Sequence, residues 1–366
     1  MIPLCVPEVK GNEWKYIKEC LDTNWVSSVG SYVDKFEVDF AKYLESKSAV
    51  VTMNGTAALQ LAMATLGIGD GDEVIVPSMT FISSVNSIRY TGAEPVFVDV
   101  CKDTFVMDVE KIEELITPKT KAIMPVHIYG YCVDMDRLEK ISKKYGLYII
   151  EDATEALGTK YKGKMAGSIG HIGCFSFNGN KLITTGAGGM LVTNDEGIAK
   201  RAKYLSNQTK TIMENGAMYH DEVGYNFRMP NVLAAMGVAQ LEMVPEYLEA
   251  KKKHADLYNK LLSDIEGIQL IKQDDNVDNC YWLYSVLVTE KFKISRDELI
   301  SALKDNGIAS RPFFMLVHKM KPYLNCKFGD MSGSEYVEER GINLPSSVSL
   351  TEEEIVKICN IIRKLA

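Results

Sequence analysis

At 366 residues the chain is longer than one hydrophobic core comfortably holds, and a nominal 150 residues per domain predicts two domains. Apolar residues make up 46% and charged residues 25%, which excludes a disordered, collagen-like or disulfide-scaffold chain. The net charge of −8 is spread without a basic block, so nucleic acid is not an expected ligand, and no run approaches the roughly 20 apolar residues of a membrane span.

The N-terminus has no cationic start followed by an apolar run, so the reading places the protein in the cytoplasm, away from membranes. An extended arm is expected first, then a helix carrying Val33, Phe36, Phe40, Tyr43 and Leu44 on one face. Short apolar runs predict strands at 49–52, 73–76, 95–98, 122–126, 147–150, 172–177 and 190–193. Helical patterns lie between most of them, for example 56–66 and 134–145, as crossover units of a mostly parallel sheet require. Past Pro230 a long helix places Val232, Met236, Ala239 and Met243 on one face. Strands are then expected at 282–289 and 309–314, and the pairs Ser295/Glu298 and Thr351/Glu354 form capping boxes that open two helices. The predicted organisation is a large domain over 1–240, including the arm, and a smaller α/β domain over 241–366.

The eight cysteines contain no C-x-x-C pair and read as reduced, buried thiols, while the five histidines are scattered. No metal site is expected. Three other segments carry chemistry. In Val51-Thr52-Met53-Asn54-Gly55-Thr56 a buried strand ends, an Asn-Gly turn follows and a helix begins, so free N–H groups and the helix dipole converge on a phosphate-sized site. Alone this is an ordinary capped turn. At Ile149-Ile150-Glu151-Asp152-Ala153-Thr154-Glu155 acidic side chains close an apolar strand, the edge at which open α/β sheets bind ligands. Lys181 ends the segment 173–181, ahead of the glycine-rich 184–189. A phosphate cradle, a strand-end aspartate and a lysine 29 residues beyond it are the parts that pyridoxal 5'-phosphate needs: the lysine for a Schiff base, the aspartate for the pyridine nitrogen, the helix terminus for the phosphate.

With these residues in view, the sequence resembles the DegT/StrS-type sugar-nucleotide aminotransferases over essentially its whole length, through 11–13, 25–28, 70–77, 126–130, 224–229 and 341–346. The resemblance implies the aspartate-aminotransferase-like fold of type I pyridoxal-phosphate enzymes: a large α/β domain with a mostly parallel sheet plus a smaller C-terminal α/β domain. It implies Lys181 as the Schiff-base lysine and Asp152 as partner of the pyridine nitrogen. Glu155 falls near the cofactor's phenolic oxygen, Gly55, Thr56 and Ser176 match phosphate ligands, and Phe81 matches the aromatic that stacks on the ring. Asn226 matches a residue reaching the phosphate from a partner subunit, which implies a homodimer with shared active sites. His220, Arg228, Arg311 and His318 are implied near the nucleotide-sugar, where donors suit a pyrophosphate. His171 and Thr154 depart from the family's usual Asp and Ala, and Lys181 is intact where related dehydratases carry histidine.

The resemblance implies transfer of nitrogen from L-glutamate to a nucleotide-linked keto sugar. Segments 116–124 and 310–314 look most like 4-aminotransferases of GDP-linked sugars, whereas 177–181 and 25–30 lean toward enzymes aminating UDP-linked 4-keto N-acetyl sugars. A hexose held through its anomeric carbon presents position 4 farthest from the diphosphate, so C4 of a 6-deoxy sugar is the expected site; amination at C3 is the alternative. A non-catalytic regulatory role, described for early members, is the reading from another class, and the acidic balance counts against it.

Overall fold

The computed structural model describes residues 1–272 and 274–366. Among these, the apolar runs of the first half form most of an eight-stranded sheet: β1 (Ser48–Thr52), β2 (Glu73–Pro77), β3 (Glu94–Val98), β4 (Thr120–Ile123), β5 (Tyr148–Asp152), β8 (Ile172–Ser176) and β9 (Gly189–Thr193), with β16 (Lys327–Phe328) at one edge. The order is β1-β9-β8-β5-β4-β2-β3-β16, parallel except where β9 runs against β1 and β8. Helices cover both faces, so strands such as β2 and β9 are buried along their whole length and read as continuous apolar runs.

Helices α1 (Glu13–Asp22) and α2 (Ser31–Tyr43) pack on the long helix described below, α3 (Gly55–Thr65) on β8 and β9, α4 (Ile82–Tyr90) on β3, α5 (Met135–Tyr145) on β5 and α6 (Glu196–Ser206) on β1 and β9. Helix α1 lies where an extended arm was expected. Trp14, Ile17 and Leu21 fall at helical spacing, as do Tyr16 and Cys20, so the signal was present, although the helix is short and buries only Glu13 and Cys20. Two small pieces flank the sheet: a ribbon of β6 (Lys160–Tyr161), β7 (Lys164–Met165) and β13 (Val277–Asp278), and the exposed hairpin β10 (Lys210–Ile212) and β11 (Met218–His220).

Helix α7 (Asn231–Leu262) runs unbroken through residue 240, the boundary expected from the sequence. Its residues up to Tyr247 join the core of the large sheet, and from Ala255 onward they join a second core. That second core lies against the antiparallel sheet β12 (Ile268–Leu270), β14 (Tyr284–Val288), β17 (Gly341–Leu344) and β15 (Arg311–Pro312), with α8 (Arg296–Asp305) and α10 (Glu352–Leu365). Ile2 from the opposite end of the chain also belongs to it. Both capping boxes form, at Ser295/Glu298 and Thr351/Glu354. The strand expected over 309–314 shrinks to Arg311–Pro312, since Pro312 has no N–H to give a ladder.

One buried carboxylate ties a helix from the C-terminal part of the chain to the large sheet. Asp99, at the end of β3, accepts from the N–H groups of Gly333 (2.9 Å) and Ser334 (2.6 Å) in the first turn of α9 (Ser332–Arg340), from Ser334 Oγ (2.6 Å) and from Lys111 Nζ (2.7 Å). Burial pushes its pKa up, but these donors outweigh burial and hold the carboxyl below its ordinary value. Asp99→Ala is therefore expected to destabilise the fold by about 2 kcal/mol in urea titrations at neutral pH. The contribution is complete above the unfolded carboxylate value near ~4 and disappears as the pH falls through the lower folded value, so wild type and variant should converge in acid.

Candidate active site

Four strand ends face one cavity of about 270 Å³, lined by Gly55 and Thr56 beyond β1, Phe81 beyond β2, Thr154 and Glu155 beyond β5, and Ser176 and Lys181 at and beyond β8; Trp282, Arg311 and Phe314 close it from the C-terminal part of the chain. The crevice lies at the carboxyl ends of the parallel strands, as this sheet type dictates.

The N-terminus of α3 is prepared for an anion. Asn54 Oδ1 accepts the N–H of Ala57 at 2.8 Å, while the N–H groups of Gly55 and Thr56 have no carbonyl one turn back in the helix. A Cβ on residue 55 would come within 2.9 Å of Ser176 Cβ, so glycine is what lets the helix end and Ser176 flank one small space. Thr56 Oγ1 donates to Ser83 Oγ at 2.9 Å on the same wall.

Asp152 is buried beneath the cavity instead of lining it. Ser84 Oγ donates to its Oδ2 at 2.6 Å and the Thr154 N–H donates to its Oδ1 at 3.1 Å, which leaves lone pairs on both oxygens for a further cationic donor. The neighbouring Glu151 is fully committed: it accepts from the N–H groups of Gly167, Ile169 and Gly170 and pairs with His127 at 2.9 Å.

Lys181 Nζ lies 3.3 Å from Glu155 Oε1 and over the face of Trp282. Burial pushes the Glu155 carboxyl up, against the opposing pull of Lys181 and of the Tyr129 N–H, which donates to Oε2 at 2.9 Å. Tyr129 makes that contact from a left-handed backbone (φ 54°), a costly conformation for a bulky residue, and its hydroxyl accepts the Phe314 N–H at 3.1 Å. Phe81, half exposed, turns its ring to the cavity and packs against Phe314 at 5.7 Å.

Of the site residues expected from the sequence, the fold brings Gly55, Thr56, Phe81, Glu155, Ser176, Lys181 and Arg311 together around the cavity, with Asp152 below. Asn226 and His220 are exposed on the hairpin segment and do not line this chain's cavity. Arg228, 10% exposed, points to Glu37 at 3.5 Å. The expectation for His318 needs correction. It is buried between Phe97 and the exposed ring of Phe328 with Nδ1 2.7 Å from Ser78 Oγ, and burial keeps its pKa down, because the turn carrying it is pinned to Ser78 through the N–H groups of Val317 and His318. Sequence reasoning missed Ser84, Tyr129, Trp282 and Phe314. Tyr129 lies inside the quoted 126–130 segment, Phe314 inside 310–314, and Trp282 opens the strand expected over 282–289, but none of these reads as a site residue from the sequence, and Ser84 carries no local signal.

The residues fit pyridoxal 5'-phosphate: an anion cradle that a Cβ would fill, a buried carboxylate with free lone pairs, an aromatic face and an amine share one crevice. Solved proteins share this architecture. The S. venezuelae protein DesV superposes with a TM-score of 0.90 at 32% identity, covering 96% of this chain and 94% of its own. Spr1654 of Streptococcus pneumoniae, solved in a PLP form, superposes at 0.93 with 29% identity over 100% and 98%. The GDP-perosamine synthase of Escherichia coli O157:H7 is 44% identical over 363 residues, 99% of this chain and 98% of that protein. Fold and site together define a pyridoxal-phosphate-dependent aminotransferase with the aspartate-aminotransferase-like fold. The chain belongs to the DegT/DnrJ/EryC1/StrS aminotransferase family, whose sequence pattern it matches over residues 7–363.

Proposed function

We propose that the chain transfers the amino group of L-glutamate to C4 of a GDP-linked 4-keto-6-deoxy sugar, giving GDP-perosamine. The observation that carries this reading is the 43–44% identity, over 98–99% of this chain, to three GDP-perosamine synthases. That likeness favours GDP over the UDP-linked alternative.

Pyridoxal 5'-phosphate supplies, when bound, an electron sink that makes the α-proton of an amino acid labile. In this reading Gly55, Thr56 and Ser176 hold its phosphate, Phe81 its ring face, and Asp152 its pyridine nitrogen, oriented by Ser84 and the Thr154 N–H. Lys181 would attach it and, once free as an amine, would accept a proton from the donor's α-carbon at Nζ; the ammonium so formed would deliver that proton to the cofactor. Glu155, with a raised pKa and Nζ at 3.3 Å, keeps that amine within reach. Arg311, exposed at the cavity wall, offers its guanidinium to the diphosphate.

The same reading makes the protein a homodimer in which the hairpin bearing His220 and the segment after it bearing Asn226 reach the partner's cavity, while Arg228 stays against Glu37 of its own chain. The exposed Ile212, Met218 and Tyr219 on that hairpin favour burial against a second copy. Co-refolding Lys181→Ala with Asn226→Ala protein should then regenerate activity in the heterodimers, since one of their two sites carries neither lesion. No recovery in demonstrated heterodimers refutes shared sites.

The substrate is tested by incubating the holoenzyme with glutamate and GDP- or UDP-linked 4-keto-6-deoxy sugars and reading the product by NMR. Nitrogen on C4 of the GDP-linked sugar is expected. Preferred turnover of the UDP-linked panel, or nitrogen on C3, contradicts the proposal.

A further inference from the structure

Lys181 Nζ stands 3.8 Å from the centroid of the Trp282 ring, a distance at which an indole face attracts a cation more strongly than other aromatics do. Trp282 is 4% exposed and tied at both ends. Its indole N–H donates to the carbonyl of Asn180, the residue before Lys181, at 2.7 Å. Its backbone carbonyl accepts from Lys251 Nζ at 2.9 Å and from Ser346 Oγ at 3.0 Å.

Lys251, on α7, is itself 2% exposed, and its other acceptor is the carbonyl of Ser346. No carboxylate pairs with it among the described residues. A buried lysine held only by carbonyls is costly, and here those carbonyls belong to Trp282 and to the loop that braces it. The chain around Lys181 is thus clamped through Trp282 to a helix 70 residues farther along the sequence.

We propose that Trp282 is a positioning residue that holds the Lys181 amine against its ring face and Glu155, and that Lys251 positions Trp282. The inference rests on Lys181 being the proton carrier. A lysine stem has many rotamers, and confining the amine between an indole face and a carboxyl raises the fraction poised to move a proton.

In the holoenzyme, Trp282→Leu is expected to slow the glutamate half-reaction about tenfold, the worth of a desolvated cation–π contact, with KM for glutamate little changed. The kinetic isotope effect with α-deuterated glutamate should rise as proton transfer becomes more limiting. Trp282→Phe, which keeps a ring face, should recover most of the lost rate. Lys251→Met should slow the half-reaction and raise the isotope effect as Trp282→Leu does.

A second readout does not depend on activity. Trp14 and Trp25 are exposed, so in a Trp14→Phe/Trp25→Phe background Trp282 is the sole tryptophan. Its emission intensity should change on Lys181→Met, and its maximum should move to the red on Lys251→Met. This comparison leaves Trp282 in place and decides the matter if Trp282→Leu does not fold. An unchanged isotope effect in folded Trp282→Leu, or emission indifferent to Lys181→Met, overturns the proposal. Turnover retained in Lys181→Ala defeats the proton-carrier reading itself; a dead Lys181→Ala combined with either overturning result defeats the positioning role alone.

Discussion

Lys181→Ala is expected to lose at least about a thousandfold in transamination, because one change removes both the attachment amine and the proton carrier, and each role is worth orders of magnitude. The fold should survive. The Lys181 side chain touches Glu155 and Trp282, and Trp282 stays held in the core by the Asn180 carbonyl, Lys251 and Ser346 when that side chain is removed. Circular dichroism and sedimentation indistinguishable from wild type, with turnover at the limit of detection, is the expected pair of results. Turnover within tenfold of wild type contradicts the role.

Asp152→Ala carries the second large effect, a loss of about a hundredfold or more, since a preorganised charge facing the ring nitrogen is removed from a buried site. Glu151 cannot take over. It is spent on three backbone N–H groups and His127, and its carboxyl points to the far side of β5 from Ser84 and Thr154. Glu155 is engaged by Tyr129 and Lys181. Single-turnover rates with glutamate measure the loss, and a rate within a few-fold of wild type would assign the pairing carboxylate elsewhere.

Much of this site was legible because its parts are local. A strand that ends at Thr52 and a helix that starts at Gly55 are one continuous signal, as are the apolar strand closing at Asp152 and the strand leading to Lys181. The capping boxes at Ser295 and Thr351 are equally local and formed as read. What stayed hidden depends on contacts between distant segments. Ser84 meets Asp152 across 68 residues and Trp282 meets Asn180 across 102, and no spacing rule links them. His318 shows the opposite failure. A histidine near an exposed-looking arginine reads as a substrate donor, yet the chain folds it under Phe97, where Ser78 satisfies it. The limit expected at residue 240 falls inside α7, one helix shared by two cores, and helical periodicity does not register a change of packing partner along it.

The central claim is that Lys181 and the crevice around it hold pyridoxal 5'-phosphate covalently. The direct measurement is borohydride reduction of the holoenzyme followed by proteolysis and mass spectrometry of the peptides. The account predicts a single phosphopyridoxyl group, on Lys181. Modification of any other lysine in its place, or an enzyme fully active with no lysine modified, would contradict it.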